Sequence, residues 1–92
     1  MLKLINIRVY QGLAQHTITA YSLSADDVLT PVEERKCDYN NLIKEALGMC
    51  ENYGTKVVRC NDANITQQLK QFGIIILEDN YGGNKQWWVN IY

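Results

Sequence analysis

The 92-residue sequence predicts a single α/β domain of the α+β kind. The expected architecture is a mixed sheet of five to six strands in the order β-β-β-α-β-α-β-β, with helices packed on the sheet. Three observations predict it. Period-two alternation opens the chain, the apolar spacing changes to that of a helix after Asp38, and short β-branched runs then bracket a second capped segment. The length suits one domain, residues 1–92, and is too short for two.

Each element follows from local pattern. In the first segment Lys3, Ile5, Ile7 and Val9 fall on one side of an extended chain, with Leu2, Leu4, Asn6, Arg8 and Tyr10 on the other. The first set is the more apolar and should meet the core. Gln11 and Gly12 begin a turn. Residues 17–23 (TITAYSL) are rich in β-branched and aromatic side chains and read as a second strand. Residues 24–27 turn again, and residues 28–35 form a third strand. Pro31 has no N–H for a ladder, so this strand belongs at a sheet edge.

The period then changes. Tyr39, Leu42, Ile43, Ala46, Leu47, Met49, Cys50 and Tyr53 make a broad stripe along one side of a helix spanning residues 38–53. Asp38 is placed to cap its start and Gly54 to cap its end. Residues 56–60 (KVVRC) read as a strand. Asn61 or Asp62 caps a second helix with the face Ile65, Leu69 and Phe72, closed by Gly73. Residues 74–77 (IIIL) are apolar on both sides, which predicts a buried strand. Together with residues 56–60 and a helix of about three turns they should form a parallel, right-handed βαβ unit. A turn at residues 81–85 leads to the return strand QWWVNIY. That strand puts Trp87, Val89 and Ile91 on one face and Trp88, Asn90 and Tyr92 on the other, so one tryptophan should be core and its neighbour exposed.

Composition narrows the function classes. With 47% hydrophobic and 21% charged residues the chain is of ordinary globular type. It has no apolar run of about 18 residues, so no membrane span is expected. The opening MLKLINIRVYQG alternates and reads as a strand, not a secretory leader. Nine basic and ten acidic residues give a net charge of −1. This lacks the basic excess by which phosphate neutralisation drives nucleic-acid affinity, so charge disfavours a polyanionic partner. The densest charged segment, residues 33–36, carries both signs. Cys37, Cys50 and Cys60 are odd in number and widely spaced, and His16 is the single histidine. That pattern gives no support for a metal site and suits free thiols in a reducing, cytoplasmic setting. Abundant Asn, Ile, Tyr and Lys beside one Pro is a composition common in AT-rich genomes, phages and mobile elements included.

The segment Tyr39-Asn40-Asn41-Leu42-Ile43-Lys44-Glu45-Ala46-Leu47, followed by Val57-Val58-Arg59-Cys60-Asn61-Asp62, resembles the first helix and fourth strand of the ribonuclease-H-like fold. There an Asn-Asn pair, a helix bearing a glutamate and a strand ending in aspartate are usual. The resemblance covers residues 1–77, and the final hairpin departs from the family. Nucleases of that family cleave phosphodiesters with two metal ions held by clustered carboxylates. Carried over, the metal-binding positions fall at Gln11, Lys44 and Asn61, none of them acidic. Glu45 and Asp62 each lie one residue away, but such a shift turns a side chain by about 100° on a helix and to the opposite face on a strand. The resemblance therefore implies a module that has lost catalysis.

Other candidate sites are weak. His16 lies beside a turn and reads as a solvated turn histidine without a partner nucleophile. Cys60 stands before a helix start, where a thiolate can be activated, but a buried strand-end residue is the commoner case. Gly82 and Gly83 lack the following Lys-Ser/Thr of a phosphate loop and suit a hairpin. No catalytic residue, cofactor or metal is expected. Tyr81, Trp88 and Tyr92 at the end of the chain are of the types that anchor interfaces. The sequence thus points to a non-enzymatic binding protein acting by protein–protein contact, of the kind that phages or mobile elements encode against host defence, anti-CRISPR proteins among them. The alternative is a degenerate ribonuclease-H-like nucleic-acid-binding module. A second copy, joined through an edge strand, is a further expected partner.

Overall fold

The computed structural model describes residues 2–92. Its strands are β1 (Leu2–Arg8), β2 (Gln15–Leu23), β3 (Leu29–Asp38), β4 (Val57–Cys60), β5 (Gly73–Tyr81) and β6 (Asn84–Ile91). The helices are α1 (Leu42–Tyr53), preceded by a 3-10 turn at Tyr39–Asn41, and α2 (Ala63–Leu69). The element order is the expected one, and the six strands form one mixed sheet in the order β3-β2-β1-β4-β6-β5.

The first three strands are an antiparallel meander, and β4 lies parallel to β1 with Ile5 opposite Val58 and Ile7 opposite Cys60. β3 is an edge, as Pro31 requires; it pairs with Tyr21 beside a bulge that leaves Val32 exposed. Both helices pack on one face of the sheet. Ile5, Ile7, Ile18, Ala20, Val58, Cys60 and Val89 from the strands meet Leu42, Ala46, Met49, Cys50, Ile65 and Leu69 from the helices in a single buried cluster. The strand residues sit at alternate positions, so the pleat alone sends them to the same side.

Asp38 caps the 3-10 turn that leads into α1, its carboxylate accepting from the Asn41 backbone N–H at 3.1 Å, whereas α1 itself starts later than expected, after Asn41, which makes no side-chain cap. Gly54 ends α1 at φ 64°, the left-handed conformation that glycine reaches without a Cβ penalty. Of the two candidates for the second cap, Asp62 serves, accepting from the Ile65 N–H at 2.9 Å. Asn61 instead clamps the end of β1, accepting from the Val9 N–H at 2.7 Å and donating to the Val9 carbonyl at 3.0 Å.

Three expectations about the C-terminal third need correction. α2 has seven residues, ends before Phe72, and is capped by Lys70. Gly73 does not close it; it is the buried first residue of β5, opposite Ile91. The strands flanking α2 are parallel, since β6 runs antiparallel to both, but β6 lies between them. The run Ile74-Ile75-Ile76-Leu77 is consequently not a buried strand. It occupies the second edge of the sheet, with exposures of 51, 36, 54 and 49%. The hairpin joining β5 to β6 turns on Gly82 (φ 57°) and Gly83 (φ 86°), the two positive φ values that a tight two-residue turn needs.

Candidate functional site

Among the described residues the second face of the sheet carries no helix. Pairing sets its composition: Glu34, Thr19, Asn6, Arg59, Trp88 and Leu77 form one row across all six strands. Beside it Lys36, Thr17 and Arg8 continue the pattern over β3, β2 and β1. The face is polar at the meander and aromatic toward the hairpin.

Its centre is built from Arg59 and Trp88. The Arg59 Nε–H donates to Asn6 Oδ1 at 2.7 Å, which satisfies the buried Asn6. The guanidinium lies over the Trp88 ring at 5.4 Å from its centroid. Trp88 is held in turn, its indole N–H donating to Asp79 Oδ2 at 3.2 Å. Both side chains are therefore held by contacts within the chain. Burial lowers the pKa of Arg59, opposed by the neighbouring Tyr21 phenol, and Arg8 adds repulsion. None of the described carboxylates lies within ion-pair distance of Arg59; the ion pairs formed are Arg35–Glu33, Arg35–Glu45 and Lys85–Glu78.

Tyr81 and Tyr92 are exposed, at 67 and 75%. Tyr81 lies opposite Asn84 on the same face as Trp88, whereas Tyr92 follows β6, its N–H donating to the Phe72 carbonyl at 2.9 Å. The expected split between the tryptophans does not occur. Trp87 opposes Cys60 on the helix side and Trp88 opposes Arg59 on the other, and both are half-buried. α2 is too short to cover Trp87 fully, and Arg59 shields Trp88.

A cleft of about 590 Å³ opens at the carboxyl ends of β1 and β4, bordered by Arg8, Gln11, Asn61, Asp62 and the hairpin residues Tyr81 and Lys85. Asp62 is the sole carboxylate among the residues that line it. It is engaged by the α2 cap and by the Tyr39 hydroxyl, which donates to it at 2.6 Å. Gln11 and Asn61 thus meet at one cleft, while Lys44 is exposed on α1 outside its lining. Among the described residues no three His, Cys, Asp or Glu side chains gather closely enough to hold a metal ion.

His16 is not a solvated turn residue. It is 5% exposed within β2, its Nδ1 accepts from the Tyr10 N–H at 3.0 Å, and it meets the Tyr39 ring edge-on at 5.7 Å. It closes the β1–β2 turn from inside. Cys60 is fully buried, and loss of solvation pushes its thiol up to about 11, the reverse of activation. Cys50 is pushed up to about 11 by the same cause. Cys37, Cys50 and Cys60 are all free thiols.

Sequence reasoning singled out Trp88 but missed Arg59 and Asn6. Their signal was present in the alternation: both are polar residues at strand positions whose neighbours on either side are apolar. No protein-family model matches the chain, and neither a curated protein nor a solved structure matches it at a significant level. No helix among the described residues is long and apolar enough to cross a membrane.

Proposed function

We propose that the chain is a non-enzymatic binding protein that acts by occupying a surface of a larger protein. The observation that carries this reading is the Arg59–Trp88 pair on the helix-free face. Trp, Tyr and Arg dominate interface energetics, and immobilised side chains lose little entropy on binding. Among the described residues no carboxylate lies within ion-pair distance of Arg59, and Asp79 acts on it only from farther away, so the partner surface is one that supplies an acidic group beside an apolar contact for Trp88 and Tyr81. Balanced charge and an amino-acid composition common in AT-rich genomes favour a phage- or mobile-element-encoded inhibitor of a cytoplasmic host defence complex, of the anti-CRISPR kind, as the biological setting.

The test is affinity capture from the native host with wild-type, Arg59→Ala and Tyr81→Ala chains, followed by titration of the recovered protein. The expected result is one stoichiometric partner. Each substitution should weaken binding by about 2 kcal/mol, or about thirtyfold, with the far-UV spectrum unchanged. A partner bound equally well by both variants would refute the assignment of this face.

A second reading, a ribonuclease-H-like nucleic-acid-binding module without cleavage, draws on the same face. Arg59 lies beside Trp88 there, Arg8 and Lys36 carry the same face across β1 and β3, and aromatic and arginine side chains stack on unpaired bases. Salt-sensitive retention on single-stranded RNA or DNA, lost with Trp88→Ala, would favour it over the first.

A further inference from the structure

The two edges of the sheet are built differently. β3 carries Pro31 and the mixed charges of Glu33, Glu34, Arg35 and Lys36, devices that keep an edge from pairing with another strand. The first half of β5 carries none of these charges. Four consecutive apolar side chains, Ile74 to Leu77, stand one-third to one-half exposed beside the unpaired edge of its backbone. Such an edge is recognised by another extended strand, whose N–H and C=O groups complete the ladder.

We infer that this strand is a second β5, and that the chain forms a two-fold dimer whose two sheets join edge to edge into one. Sequence and register single out a second copy. Ile74 opposes Asn90 and Leu77 opposes Trp88, and Asn90 and Trp88 are two residues apart, so Ile74 and Leu77 share a face although they are three apart. The irregularity at Ile76 causes this. A regular strand paired about a two-fold axis between Ile75 and Ile76 would set opposite faces against each other. Here the irregularity restores the match: Ile74 of one copy meets Leu77 of the other on the helix-free face, and Ile75 meets Ile76.

Charge fits the same axis. About this axis Glu78 and Asp79, held in their own chain by Lys85 and by the Trp88 indole, face the start of the other β5 at Gly73, and the two acidic halves are held apart. Each chain offers the other what it carries itself, which is the condition for an isologous interface. Because the axis stands perpendicular to the sheet, both Arg59–Trp88 pairs face the same way, on a surface twice as long. This dimer does not depend on what that surface binds.

Sedimentation velocity on the full chain tests the inference across low- to high-micromolar concentrations. The expected species has twice the 10.6 kDa chain mass. Ile76→Lys should return it to one chain mass with an unchanged far-UV spectrum, while Val32→Lys on the opposite edge should leave the dimer intact. In a dimer mixed from labelled and unlabelled chains, Ile74 and Leu77 methyl groups should show an intermolecular Overhauser contact. A wild-type chain that stays monomeric throughout overturns the inference. So does a dimer that survives Ile76→Lys, one lost with Val32→Lys alone, or one whose contacts lie elsewhere.

Discussion

Gly73→Ala should be among the most damaging single-methyl changes available to this protein. A Cβ at this position would lie 2.2 Å from the Asn90 carbonyl oxygen, 2.8 Å from its carbon and 2.9 Å from Ile91 Cα. All three are backbone atoms, so no rotamer change relieves the clash. One strand of the hairpin must move by about 1 Å to restore ordinary contact distance. Overpacking in cores costs about 1–3 kcal/mol, and a rigid neighbour puts this site at the upper end, about 3 kcal/mol. A domain of this length has about 5–14 kcal/mol of stability at the usual value per residue. At about 4–8 °C per kcal/mol, Tm should fall by about 12–24 °C. Thermal melts followed by far-UV circular dichroism measure it. Gly48→Ala is the internal control: nothing lies within 4 Å of its Cβ position, and inside α1 the change should stabilise by about 0.5–1 kcal/mol. If Gly73→Ala melted within a few degrees of wild type, the close approach of β5 and β6 would be wrong.

Two further outcomes follow from the described contacts. Asp62→Ala removes both the α2 cap and the acceptor of the Tyr39 hydroxyl, and should cost about 1–3 kcal/mol by urea denaturation; Asp62→Asn, which still caps, should cost less. The Cys50 and Cys60 thiols are raised from 9.0 to about 11 by burial, so both should resist thiol reagents while the chain is folded. The same shift has a stability sign. A raised folded pKa favours the folded state fully below the unfolded value near 9.0, and that contribution is lost as pH climbs toward about 11. Denaturation midpoints should therefore drop between about pH 9 and about pH 11, and less so in Cys60→Ala.

Much of the architecture was legible because local chemistry and tertiary structure agree. Alternation in β1, the stripe of α1, the caps Asp38 and Gly54, the edge role of Pro31 and the Gly82-Gly83 hairpin each have a cause within a few residues. What failed was long-range. An apolar run on both sides of a strand fits a buried position and an exposed edge equally well, and the hairpin decides between them by placing β6 against β4 before β5 can pair there. His16 was misread because its partners, the Tyr10 N–H and the Tyr39 ring, are assembled by a turn and by the meeting of separate elements. The candidate site was half legible: Trp88 could be singled out by residue type, but Arg59 and Asn6 gain their meaning only from the lateral pairing of β1, β4 and β6.

The guarded border at β3 carries a consequence for growth. A molecule with two receptive borders can recruit neighbours indefinitely and become a fibre. With Pro31 and mixed charge standing at one side, each joining event consumes the receptive border of both participants and exposes only closed ones. Addition therefore halts at a finite particle. Replacing Pro31 and the neighbouring charges with β-branched apolar residues should convert a self-limiting partner into one that polymerises.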